Sequence, residues 1–305
     1  MRPLTQTEAG RVSGVIEPGG TYAFLGVPYA APMTEARRFE APAPVEPWAG
    51  VRVCDRPGPV CPQLPTYGPV GTAAASQMPQ GLDFLSLNIR TPTLFGRVPV
   101  LVWIHGGGYA VGSANEPVLQ SGAFAASGVV EVTVNYRLGA LGFLSLPGRP
   151  ENRGLLDQIA ALDWVQRNIA AFGGDPAQVT FAGRSAGGFA VAAVMAMPAA
   201  RGLFARAMPQ SGASAALAMP EDAAKLTHRM AAALGTDAAR IARAPLQALI
   251  AAQRELCNES YERHDAARDG RAAMLGVPFV PVIDGASLPD HPEAMAARAR
   301  RRRCR

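Results

Sequence analysis

The chain has 305 residues, 49% hydrophobic and 17% charged: enough apolar material for a large core, and too little charge for a disordered or nucleic-acid-dominated protein. Its net charge of +5 resides in the tail. Six arginines (Arg298, Arg300, Arg301, Arg302, Arg303 and Arg305) fall within the last eight residues, and without them the balance is −1. The N-terminal segment carries no apolar stretch of the kind a secretory signal or a membrane span needs, so the expectation is a soluble, cytoplasmic protein. Four scattered cysteines (Cys54, Cys61, Cys257 and Cys304) lack metal-ligand spacing and read as reduced thiols.

Residues 8–30 alternate short β-branched runs with glycines, which predicts a small antiparallel hairpin. Residues 31–79 are proline-rich, with Phe39 and Trp48 as isolated anchors; they read as a long irregular surface segment of the kind that shapes a binding mouth. Residues 84–90 alternate like a strand. Residues 99–104 form a continuous apolar run, as expected of a strand covered on both faces. Residues 129–136 predict another strand and 154–169 an amphipathic helix, closed by the stop signal Phe-Gly-Gly-Asp-Pro at 172–176. A further strand is expected within 204–212, mainly helix over 221–268, and extended structure over 278–285. The alternation of strands and helices predicts a doubly wound α/β fold with a mostly parallel sheet and a crossover of strand, helix and strand leading into residue 179.

Two stretches carry chemistry. The first is Gly183-Arg184-Ser185-Ala186-Gly187, preceded by the strand-like Val179, Thr180 and Phe181 and followed by a small-residue helix that Pro198 closes. In a G-x-S-x-G elbow the serine occupies a sharp strand-to-helix turn, crowded enough that the flanking positions must be glycine. Ser185 is thereby a candidate nucleophile, and the N–H of Ala186 a donor toward a developing oxyanion. The second is His105-Gly106-Gly107-Gly108-Tyr109, at the end of the buried strand. Three glycines let the backbone turn its N–H groups inward, as an anion site requires. His105 abuts that loop and reads as an orienting residue and not a base. His228, His264 and His291 lie among charged or turn-like residues and read as solvated side chains.

With both stretches and the blocks between them, the chain resembles the type B carboxylesterases, the group containing cholinesterases and para-nitrobenzyl esterases. The shared blocks are Gly-Val-Pro-Tyr-Ala at 26–30, Trp-Ile-His-Gly-Gly-Gly-Tyr at 103–109, Asn-Tyr-Arg-Leu at 135–138 and Leu-Leu-Asp-Gln at 155–158. Phe-Gly-Gly-Asp-Pro at 172–176, Gln-Ser-Gly at 210–212 and Pro-Val-Ile-Asp-Gly at 281–285 complete the set. The resemblance implies an α/β-hydrolase fold over residues 1–292, with the last strands of the sheet missing. It implies Ser185 as nucleophile, the N–H groups of Gly107, Gly108 and Ala186 as oxyanion hole, and Ser211 as a supporting serine near the triad. The implied reaction is hydrolysis of a small-molecule ester through an acyl-enzyme, with no cofactor, no metal, no membrane and no specific nucleic acid.

Three departures qualify that resemblance. The family usually has Glu where this chain has Arg184, which leaves two readings open: attraction of a carboxylate-bearing substrate, or displacement of neighbouring groups. Extracellular members pair a cysteine like Cys61 with one where Phe84 stands here, which fits a reduced compartment. The family's triad acid and histidine follow the 281–285 block, whereas here residues 293–305 are an arginine-rich tail, expected to be disordered, with the look of a truncated or frame-shifted reading. A catalytically silent α/β-hydrolase-fold fragment that binds ligands is therefore the alternative to an esterase. Acyl and alcohol preference and oligomeric state stay open at this level.

Overall fold

The computed structural model describes residues 2–63 and 74–303. Its strands are β1 (Leu4–Thr7), β2 (Gly10–Ser13), β3 (Val15–Ile16), β4 (Tyr22–Pro28), β5 (Val51–Val53), β6 (Ser86–Thr91), β7 (Val98–Ile104), β8 (Val130–Val134), β9 (Gly174–Arg184) and β10 (Arg206–Gln210). The helices are α1 (Ala123–Ala126), α2 (Gly139–Phe143), α3 (Arg153–Asn168), α4 (Ala186–Ala196), α5 (Pro220–Ala233), α6 (Leu246–Arg263), α7 (Ala266–Asp269) and α8 (Pro292–Arg303). The antiparallel hairpin expected within residues 8–30 is the pair β3 and β4, while β1 and β2 form a second one that begins before that range and is extended by β5 into a small sheet. The remaining seven strands lie in the order β10-β9-β7-β8-β6-β4-β3.

β10, β9, β7 and β8 are mutually parallel, and β6, β4 and β3 add antiparallel partners on one side. Every residue of β6 and β8 is buried, so both faces of the sheet are covered there, as a doubly wound arrangement demands. The chain leaves β8, passes through α3 and returns as β9 on the far side of β7, the expected crossover. β9 begins five residues before the apolar run that announces it, because Gly173, at φ 76°, ends the preceding turn and Gly174 at once takes up register opposite Val98. α4 is apolar on nearly all sides and packs against β7, β9 and β10, whereas α3 buries a single stripe that includes Leu155, Leu162 and Val165.

Two of the sequence blocks meet in the core. Arg137 and Asp157, 1% and 0% exposed, form a two-pronged ion pair with Nε–Oδ2 of 2.8 Å and Nη2–Oδ1 of 2.6 Å. Asp157 also accepts the Arg137 backbone N–H at 3.0 Å, and Nη1 of the guanidinium donates to the carbonyls of Glu40 and Arg38. Asp157 holds the Arg137 guanidinium protonated, raising its pKa against the opposing pull of desolvation. The irregular segment after Ala31 is pinned at the same place: Phe39 is buried beneath the guanidinium of Arg153, 5.3 Å from its ring centre. Residues 64–73 of that segment lie outside the described part of the chain.

The extended stretch at 278–285 makes one isolated bridge, Ala218 to Val282. A single side chain fastens it: Asn152, itself in the left-handed region at φ 55°, donates Nδ2–H to the Val282 carbonyl (2.8 Å) and accepts the Val282 N–H (2.7 Å). Beyond it, the expected disordered tail is instead helix α8 as far as Arg303. Alanine and arginine are strong helix formers, Pro292 suits a first turn, and Glu293 adds a negative charge there. The helix is tethered where Ser214 Oγ donates to the Glu293 carboxylate, where Arg298 pairs with Asp290 at 2.7 Å, and where it packs on α4. No helix among the described residues is long and apolar enough to cross a membrane.

Removing one charge of a buried pair strands the other. Asp157→Asn is expected to lower the unfolding free energy by about 3–5 kcal/mol, read as a shift of the urea midpoint at constant slope; a loss below about 1 kcal/mol would mean that the pair behaves like a surface one. Asn152→Ala should cost about 1–3 kcal/mol and accelerate amide exchange at Val282 and its neighbours ahead of the rest of the chain.

Candidate active site

Ser185 stands at the junction of β9 and α4 with φ 56° and ψ −123°, a conformation that costs a non-glycine residue roughly 1–3 kcal/mol and persists only when its surroundings impose it. The imposition is visible in the backbone. The Ser185 N–H donates to the Gln210 carbonyl at the end of β10, and its carbonyl accepts from Phe189 one turn into α4, both at 2.9 Å. A Cβ at Gly187 would sit 2.2 Å from the Ile104 carbonyl oxygen, and one at Gly183 would sit 2.6 Å from the Gly187 oxygen. These two glycines are required because the elbow lies directly on the end of β7. The Ser185 hydroxyl is left exposed and has no hydrogen-bond partner among the described residues.

The chain leaving β7 is the other half. Gly107 has φ 110°, and a Cβ there would lie 2.0 Å from the Val111 carbonyl oxygen, so the turn closes only around glycine. The Gly107 carbonyl accepts from Ala110 and Val111, both at 3.0 Å, which turns the peptide N–H groups away from the loop's own acceptors. Among the described residues none accepts from the N–H of Gly107, of Gly108, or of Ala186 at the start of α4. Donors of this kind bordering a serine form an anion receptor.

A cleft of about 370 Å³ opens here, lined by Gly106, Gly107, Arg184 and Ser185 with an apolar wall that includes Trp103, Val111, Val118 and Leu119. Gly108 and Ala186 are the chain neighbours of the lining residues Gly107 and Ser185. His105 also borders the cleft but is 3% exposed, stacked on Tyr136 at 4.5 Å between ring centres, with Nδ1 2.8 Å from the Gly106 carbonyl oxygen. Burial lowers its pKa to about 4, so the imidazole is neutral near pH 7. Glu116, half-buried in the same wall, has its carboxyl pushed upward by desolvation.

The loop is held by residues that motif reading had not assigned a task. Tyr136 donates its hydroxyl to the His105 carbonyl at 3.0 Å. Asn135 Oδ1 accepts from Ser113 Oγ and the Ala114 N–H, both at 2.9 Å. Gln63 brackets Gly112, donating to its carbonyl at 3.0 Å and accepting its N–H at 2.8 Å. The Asn-Tyr-Arg block was visible as a pattern, but nothing local in it announces that all three side chains point at other loops. The irregular 31–79 segment was expected to shape a mouth; none of its described residues lines the cleft, and Gln63 supports the cleft wall from behind.

Ser211, at φ 48°, follows directly on the carbonyl that fixes Ser185, and its exposed hydroxyl bonds to no described residue. His228 and His264 are exposed on α5 and at the end of α6, and His291 is half-buried before α8; none lines the cleft. Cys54, Cys61 and Cys257 are buried free thiols, and Cys304 lies outside the described residues. Among the described residues no group of three or more His, Cys, Asp or Glu side chains is placed to hold a metal.

The chain is similar in sequence and fold to known proteins. A relative from Bacillus subtilis (strain 168), para-nitrobenzyl esterase, is 38% identical over 301 residues, covering 96% of this chain and 59% of its own length. Liver carboxylesterase of Sus scrofa is 37% identical, covering 97% and 55%. A solved thermophilic PNB esterase superposes with a TM-score of 0.87 at 37% identity over 98% of this chain and 61% of its own. The chain thus spans about three fifths of the length of these relatives, and shares with them the α/β-hydrolase fold. With the sequence model of the Carboxylesterase family matching residues 2–303, the chain belongs to the carboxylesterase family.

Proposed function

We propose that this chain carries the nucleophilic half of a serine esterase, and that residues 1–292 form one partial α/β-hydrolase domain. The observation that carries the reading is an exposed, unbonded serine hydroxyl in a forced conformation beside three unclaimed backbone donors. Ser185 Oγ bonds to the carbonyl carbon of a carboxylic ester as its proton passes to a water molecule in the cleft. The carbonyl π pair moves onto oxygen, where the N–H groups of Gly107, Gly108 and Ala186 receive the charge. Collapse expels the alkoxide, which takes up a proton and leaves as the alcohol. Water then attacks the acyl-enzyme in the same manner and releases the acid. Ser211 supports the elbow through its neighbour Gln210, and no cofactor or metal enters these steps.

The proton transfers need a base. His105 is neutral, but its ring is buried and its Nδ1 is held at the Gly106 carbonyl, a posture suited to orienting the glycine loop. The other histidines do not reach the cleft. On this reading the chain alone acylates and turns over slowly, retaining the roughly 10³–10⁴-fold advantage over water that a hole and a binding site provide without a full triad. Buried, unpaired Cys54, Cys61 and Cys257 support a reducing, cytoplasmic setting.

Incubation with 4-nitrophenyl acetate is expected to add one acetyl group, mapped by mass spectrometry to Ser185, with slow release of nitrophenol that Ser185→Ala abolishes. Equal rates and masses for the two proteins would instead identify a silent binding fragment. His105 adds a pH signature. Unfolded, it takes a proton below about 6.5; folded, it resists until about 4. Its share of the stability is therefore complete above the first value and is lost as pH falls through that window, by about 3 kcal/mol. A His105→Gln variant should show a flatter acid limb in thermal-melt midpoints between pH 6.5 and 4.

A further inference from the structure

Arg184 and Glu116 are the charged wall residues that the proposed reaction leaves without a task, and of the two it is Arg184 that adjoins the serine. It is the last residue of β9, its backbone fixed opposite Gln210 in β10, and it directly precedes the strained serine. The residue is exposed and borders the cleft, and its side chain makes no hydrogen bond or ion pair with any described residue. By contrast, the most deeply buried arginines, Arg137 and Arg153, are held by carbonyls and, for Arg137, by a carboxylate. A guanidinium without a partner keeps its whole planar fork for a ligand.

The cleft around it sets the sign of that ligand. Among its wall residues the titratable groups are Arg184, Glu116 and His105. His105 is neutral near pH 7, and Glu116 forms no ion pair with Arg184, although both border the same space. Glu116 is half-buried in the loop after the glycines, while Arg184 is exposed beside the nucleophile. An incoming anion therefore meets Arg184 at the rim of the cleft, on the side where Ser185 must attack.

We propose that Arg184 is a specificity-determining residue that selects esters bearing a second, free carboxylate, that is, half-esters of dicarboxylic acids. The carboxylate pairs two-pronged with the guanidinium while the ester carbonyl lies over Ser185 and its oxygen faces the Gly107 and Gly108 amides. Because an arginine side chain extends several bonds from the backbone, the fitting charge sits a few methylenes from the scissile carbonyl. The inference rests on the proposed esterase reading for its catalytic consequence, but its binding consequence does not depend on turnover.

The test compares mono-4-nitrophenyl adipate with 4-nitrophenyl hexanoate, two acyl groups of equal length differing by one carboxylate. It also compares binding of adipic acid mono-anilide and hexananilide, their uncleaved amide counterparts, by calorimetry. In the full chain the ratio of kcat/KM for the charged to the neutral ester should fall about tenfold in Arg184→Gln. The ratio should be partly restored in Arg184→Lys, reverse further in Arg184→Glu, and shrink with added NaCl. The affinity ratio of the two anilides should move in parallel. Using a ratio divides out any change that the substitution makes to rate or fold in common. Ser185→Ala should lose both rates and keep the wild-type anilide preference. If instead Ser185→Ala hydrolyses both esters like the parent, the esterase reading fails while the anilide ratio still judges Arg184. If Arg184→Gln leaves both ratios unchanged, or the parent shows no preference for the charged partner in either, the inference is overturned.

Discussion

The structure depends on one close approach, that of the elbow backbone onto the end of β7. Gly187 comes so near the Ile104 carbonyl that a methyl group at its Cα would penetrate it, and Gly183 closes the same gap from the other side. This contact sets the distance between β9 and β7 at their C-terminal ends, and with it the distance between the serine and the loop that β7 feeds. It also explains why an unfavourable backbone conformation survives at Ser185. The residue is gripped on one side by the Gln210 carbonyl of β10 and on the other by the first turn of α4. The first turn of α4 is set in a buried core, so releasing the strain on that side would require moving packed elements.

The glycine loop has no such core of its own, and its order comes from outside it. Tyr136, Asn135 and Gln63 each spend a polar group on its backbone, and Tyr29 donates to the Asn135 carbonyl at 2.7 Å. Behind them, the Arg137–Asp157 pair joins the segment after β8 to α3 and to the irregular segment through the Glu40 and Arg38 carbonyls. A buried ion pair is poor evidence of net stability, since desolvation offsets much of its attraction. Its geometry instead suits a specifying role: one guanidinium satisfies three chain segments that must keep a fixed relation if the cleft is to keep its shape.

The electrostatics of the cleft follow from this rigidity. Donors in the loop cannot rotate toward one another, because their carbonyls are engaged elsewhere, so the N–H groups remain available to a charge that is not yet there. His105 is neutral because burial disfavours an imidazolium there by more than the Gly106 carbonyl favours one. At the sheet's margin, β10 bonds to β9 alone among the described residues, and α8 packs on the neighbouring α4. The helix arises where composition suggested a loose tail because alanines between the arginines make helix locally favourable and Met295 finds an apolar surface to cover.

The layered fold was legible in the chain because its signals are local. An unbroken apolar run marks β7, valines at every second position mark β8, a 3.6-residue stripe marks α3, and paired glycines around Ser185 and after His105 mark turns that no other residue can make. Those features depend on neighbours a few residues away, and the turns that carry Ser185, Gly107, Gly108 and Ala186 are among them. Other features join residues distant in sequence and were decided only on folding: Gln63 at Gly112, Asn152 at Val282, Tyr136 beneath His105, and Arg184 unpaired at the cleft. A polar side chain carries no record of which distant backbone group it will satisfy. That pairing is fixed by the burial of the surrounding core, which removes water as the alternative partner.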